Sequence, residues 1–160
     1  MSTRLSTAGM SLQYCVETTA GTRPTTGYTT IDEIKSIPSF NPQPETIDST
    51  TLAETVYRTY VAGLKDMSGA LEFGANLTDD LITAWGTLVS AYATAIAANP
   101  AKAVWFAVVH PKLAKAVFFT GEPSPIGLDE ASVGSMLETT LYITPNSAPT
   151  LEAKPTVATT

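Results

Sequence analysis

Apolar and polar residues alternate along much of this 160-residue chain, and one segment replaces that rhythm with a helical one. Leu12, Tyr14 and Val16 fall on one side of residues 11–17, a period-two pattern that predicts a strand. Residues 18–30 are dense in Thr, Gly and Pro and read as a loop. Ile31, Ile34 and Ile37 frame a short strand stopped by Pro38. Pro42 and Pro44 remove ladder donors, so residues 40–44 predict no regular element. Residues 48–62 read as an extended hairpin whose second half, from Val56 to Val61, is β-prone. A Gly63-Leu64-Lys65-Asp66 turn then leads to a strand over 70–77, where Leu71, Phe73 and Ala75 alternate with Glu72, Gly74 and Asn76.

The helical rhythm occupies residues 78–98. Thr78 is a natural N-cap, and Asp79 and Asp80 complement the positive end of the helix dipole. Leu81, Trp85, Leu88, Tyr92 and Ile96 recur at spacings of three and four and predict one buried stripe. Asn99-Pro100 ends it. Residues 103–109 are almost wholly apolar and predict a central strand, and residues 113–120 predict its hairpin partner. Residues 122–130 read as a loop, 132–144 as a long half-exposed strand, and 146–160 as a small polar tail. The fold expected is mainly β (α+β): an antiparallel β-sandwich or barrel of six to eight strands with one long flanking helix, forming a single domain. Residues 1–9, 38–63 and 145–160 are left as an N-terminal arm, a long inter-strand loop and a C-terminal arm.

That long loop changes the functional picture. A Pro-punctuated excursion of this length inside a small domain is usually functional or disordered, and its acidic-to-apolar pattern suits docking. Phe40, Pro42, Pro44, Tyr57, Arg58, Tyr60, Leu64 and Asp66 are the candidate contact residues, since Tyr and Arg are enriched where proteins anchor one another. Charged residues make up only 15%, with Thr, Ala and Ser in their place, which suits a surface later covered by copies of itself. A Thr-rich β protein with ordinary turns accounts for much of the same composition. The net charge of −6 argues against gripping nucleic acid but not against surrounding it.

Candidate chemistry is sparse. Cys15 stands alone, which excludes a disulfide within the chain, and reads as a small buried hydrophobe. His110, the single histidine, reads as a turn residue without metal or triad partners in ligand spacing. No phosphate-loop, dinucleotide, nucleophile-elbow or zincin motif is present. No secretory leader, membrane span, cofactor, metal site or enzymatic activity is expected.

The segment Tyr60-Val61-Ala62-Gly63-Leu64-Lys65-Asp66, followed by Gly69, Leu71 and Phe73 and then the helix, resembles the major tail tube proteins of long-tailed bacteriophages. The likeness spans roughly residues 11–144. It implies a β-sandwich with one flanking helix, assembled as hexameric rings stacked into a tube. Inner sheets would line a lumen for genomic DNA and a tape-measure protein, and the long loop and both arms would bridge subunits. Six copies at −6 would give 6 × −6 = −36 per ring. A tail terminator and baseplate or tip proteins would be partners, and the virion tail, assembled in the bacterial cytoplasm, the location. Alternatives are a head-tail connector or terminator, a capsid-decorating subunit, and a cytosolic ligand-binding β-barrel.

Overall fold

Strand-forming residues here are organised by one long strand that joins the two halves of a curled sheet. The structure, a computed structural model, describes residues 3–158. In chain order these form β1 (Ser11–Val16), β2 (Thr26–Ile31), β3 (Ile34–Ser36), β4 (Pro44–Asp48), β5 (Tyr60–Lys65) and β6 (Leu71–Asn76). Then follow α1 (Asp79–Ala97), β7 (Val104–Val109), β8 (Lys115–Pro123), β9 (Glu138–Pro145), β10 (Thr150–Ala153) and β11 (Thr156–Val157). The main sheet runs β11-β2-β1-β7-β8-β9-β6-β3, with β10 also on β8, while β4 and β5 pair only with each other. This is a mainly β fold of largely antiparallel strands with one helix.

β8 changes partners midway. Val117 to Thr120 pair with β7, and Gly121 to Pro123 pair with β9. The hinge is Gly121, where a Cβ would lie 2.7 Å from Ile143 Cγ2 and 3.0 Å from the Thr144 carbonyl. Only glycine admits that approach. The β2-β1-β7-β8 half curls strongly, so Tyr28 of β2 meets Phe118 of β8 edge-to-face at 6.0 Å although two strands separate them in the sheet. β10 lies antiparallel on β8 and β11 parallel on β2, with only Lys154 and Pro155 between them.

Two apolar clusters result. The larger joins Leu12, Ile31, Phe106, Val108 and Phe119 to Leu71, Phe73, Leu141 and Ile143, under Leu81, Trp85 and Leu88 of the helix. The smaller lies on the opposite face of the curled half: Tyr28, Ala107, Val109, Ala116 and Phe118. β7 is buried on both faces, which is why its sequence is continuously apolar. Thr78 caps the helix by accepting from the Leu81 amide at 3.2 Å, as expected.

Several expectations are corrected. The stripe ends on Ala95, not Ile96, which is half exposed; at 3.6 residues per turn Ala95 stays nearer the Leu81–Leu88 line. The loop expected over 18–30 ends in β2, whose Tyr28 is fully buried. The strand expected at Ile31–Ile37 is split: Ile31 closes β2, the chain reverses at Asp32 and Glu33 (φ 67°), and β3 is three residues long. Pro44 opens β4, the first position of a strand being one that tolerates proline. Residues 63–65 belong to β5, and the turn follows at Ser68 (φ 61°) and Gly69 (φ 87°). β9 begins only at Glu138, leaving Val133 fully exposed. The tail contains β10 and β11. Residues 1, 2, 159 and 160 of the two expected arms lie outside the described residues.

Candidate assembly surface

The β4–β5 hairpin is built to stand by itself. Asp48 pairs with Tyr60, Ile47 with Val61 and Thr46 with Ala62, and an irregularity separates these from the Pro44–Lys65 pair. Its tip, residues 49–59, is held by short polar side chains bonding the backbone, an arrangement that competes with strand formation. Asp48 Oδ1 accepts from the Thr50 amide at 2.9 Å, and Thr50 Oγ1 accepts from the Thr59 amide at 3.0 Å. The Glu54 carboxylate accepts from the Thr51 amide at 2.8 Å and from Thr59 Oγ1 at 3.1 Å. These bonds place Val56, Tyr57, Arg58 and Thr59 in the tip instead of the expected strand. The side-chain and backbone bonds from Thr50 lower the Asp48 pKa, and Arg58 Nη1 lies 3.7 Å from its other oxygen.

With polar groups turned inward to order the tip, apolar ones are left outside. Leu52 is fully exposed, Tyr57 is 82% exposed and Leu64 86%. Val56, Tyr60 and Val61 are exposed beside them. Large apolar side chains left uncovered on a projecting hairpin mark a candidate interaction surface.

The expected contact residues divide into two groups. Tyr57, Arg58, Tyr60 and Leu64 are exposed on the hairpin. Phe40 instead packs inward, its ring 5.1 Å from that of Phe119 and 6.3 Å from that of Phe73. Pro42 and Asp66 line a groove of about 650 Å³ at the hairpin root, facing residues 144–149. Pro44 is half-buried, and Asp66 Oδ1 accepts from the Ser68 amide at 2.8 Å, ordering the turn into β6. Sequence reasoning missed Leu52, Val56 and Val61, whose signal was an apolar residue every few positions in a Thr-rich stretch. It also missed Leu128, Val133 and Met136, exposed in the long segment between β8 and β9.

Elsewhere the polar groups serve the fold. Buried His110 accepts from the Lys112 amide at Nδ1 (3.1 Å), so Nε2 carries the hydrogen donated to the Ser6 carbonyl at 2.7 Å. Cys15 is half-buried at the edge of the smaller cluster, and burial pushes its thiol pKa up. Among the described residues, no three His, Cys, Asp or Glu side chains come together as a metal site, and no helix is long and apolar enough to cross a membrane.

The geometry defines a mainly β, sandwich-like fold with one helix and an ordered projecting hairpin that carries exposed apolar residues. No protein-family model matches the chain, and no curated protein matches it. Among solved structures, it is similar to a chain of the 6-fold symmetrised cryo-EM structure of the anti-feeding prophage (AFP) baseplate. The TM-score is 0.59 at 12% identity, over 96% of this chain and 98% of that one. At that identity the likeness is one of fold.

Proposed function

We infer that this chain is a structural, non-enzymatic subunit of a phage-type tail, polymerising as stacked hexameric rings into a tube through which genomic DNA passes. The observation that carries this reading is the hairpin, ordered by its own hydrogen bonds while Leu52, Val56, Tyr57 and Leu64 remain uncovered. The full-length fold likeness to a chain of a 6-fold baseplate supports it, as does the tail-tube resemblance of residues 60–73. Self-association covers the hairpin and the exposed sheet edges together. Tape-measure, terminator and baseplate proteins are the further partners on this reading, and the virion tail is its location, after assembly in the bacterial cytoplasm.

A second reading, a ring component at one end of a tail, is favoured by the baseplate origin of the similar chain. Negative-stain electron microscopy of concentrated protein separates the two. Hollow tubes with a regular axial repeat support the tube subunit, and isolated rings support the end component. Monomers at every concentration, with or without added tape-measure protein, overturn both.

A further inference from the structure

Positive charge is scarce in this chain and gathers in one place. Of nine Lys and Arg residues, four lie on three segments that meet at one end of the curled sheet: Arg4, Lys112, Lys115 and Lys154. The His110–Ser6 bond holds the N-terminal segment, with Arg4 two residues away, against the β7–β8 turn. Lys112 lies in that turn, bonded through its amide to His110. Lys115 opens β8 opposite Ala153, and Lys154 Nζ donates to the Pro111 carbonyl at 2.8 Å. Across residues 3–10, 109–116 and 150–157, those four cations accompany a single carboxylate, Glu152. Leu5, Leu113 and Leu151 are exposed on the same segments.

The hairpin has the opposite character. Residues 42–66 carry Glu45, Asp48, Glu54 and Asp66 against Arg58 and Lys65, and Arg58 lies beside Asp48. Among the described residues, β4 and β5 pair with no other strand. Both surfaces therefore combine exposed apolar residues with a charge excess, of opposite sign.

We propose that this basic end of one copy is the socket for the β4–β5 hairpin of a second copy. Glu45 and Glu54 meet the cluster of Lys112, Lys115 and Lys154, while Leu52, Val56 and Tyr57 cover Leu5, Leu113 and Leu151. The proposal rests on the polymer reading above and names the surface that completes the contact. Hairpin and socket are different surfaces of one chain, so the contact is heterologous and every copy offers both halves. Opposite charges steer the encounter and fix its register, and the apolar residues exclude water from it.

The test uses the full chain. The variant Lys112→Glu/Lys115→Glu alters two exposed side chains and should keep the wild-type thermal melt. Like charge across the contact should raise the concentration needed for assembly by about tenfold or more. Adding Glu45→Lys, which leaves the Glu54 bonds that order the tip in place, should bring that concentration back down. In a Cys15→Ala background, mixing Leu52→Cys protein with Leu113→Cys protein and oxidising should give a covalent dimer. If wild-type protein polymerises while the lysine variant polymerises equally well, or the cross-link fails to form, the socket is overturned and the polymer reading stands. If wild-type protein forms no polymer, the polymer reading falls and the socket with it.

Discussion

Glu17 and Tyr28 carry polar groups into the interior in opposite ways. The Glu17 side chain is buried, and its carboxylate accepts from Trp105 Nε1 at 2.8 Å and from the amides of Gly21 and Ala103 at 3.0 and 3.1 Å. Burial raises its pKa, but these bonds, with the charge of Lys102, outweigh burial and leave it below the usual carboxylate value. A depressed pKa means the group stabilises the fold above the unfolded carboxylate range and loses that contribution as pH falls through the folded value. Glu17→Gln should cost about 1–3 kcal/mol at neutral pH, since bonds to a charged acceptor are replaced by weaker ones. Its denaturation midpoint should approach that of wild type in acid. A constant gap down to pH 2 would show that the charge is not the cause. Tyr28 works at the other extreme: its hydroxyl donates to the Pro24 carbonyl at 2.8 Å, and burial pushes it up to about 12 from 10.0. That stability is complete below pH 10 and lost as pH rises through the folded value. Tyr28→Phe should cost about 0.5–1.5 kcal/mol at pH 7 and show a shallower decline in alkali, read from chemical denaturation across pH.

Among the elements, β8 and α1 are where substitutions are most diagnostic. Gly121→Ala places a methyl against Ile143 and the Thr144 carbonyl, where β8 passes from one half of the fold to the other. Overpacking there should cost about 1–3 kcal/mol, measured by urea unfolding. Trp85→Ala removes a fully buried ring and its 2.7 Å bond to the Ser124 carbonyl, and should cost about 3–5 kcal/mol. A near-neutral result would place the ring against a partner instead of the core. The helix and β7 were legible in the sequence because cap, dipole complement and apolar period coincide in one and the apolar run is unbroken in the other. β2 was not, because Thr and Gly27 fill its other positions and only Tyr28 and Ile31 are buried. β10 and β11 are wholly exposed, so their pairing leaves no apolar alternation to read. The hairpin was visible as an excursion too long and too Pro-rich for the core. Its register was not, because side-chain bonds of Asp48, Thr50 and Glu54 set where the strands stop. Phe40 sat among prolines and looked like loop, while the aromatic rings that receive it come from distant strands.

On the proposed function, the hairpin serves assembly and the body stability. Replacing residues 46–62 with a short Gly-Ser link should change the melting temperature by only a few degrees, because β4 and β5 pair with nothing else. The same change should abolish polymers in negative stain. Loss of the cooperative melt would mean that the hairpin belongs to the core. The body depends instead on the end of the chain. β11 pairs Thr156 with Thr26, a separation of 156 − 26 = 130 residues, and β1 pairs Ser11 with Val109. Contacts this distant in sequence make folding slow. During vectorial synthesis the edges of β2 and β8 stay open until residues 150–157 have been made. Docking surfaces at the basic end, which include Leu151 and Lys154, come into being at the same moment. On the proposed assembly, the segment that covers these edges also carries part of the acceptor surface, so a copy gains its docking face in the same step that closes its own sheet.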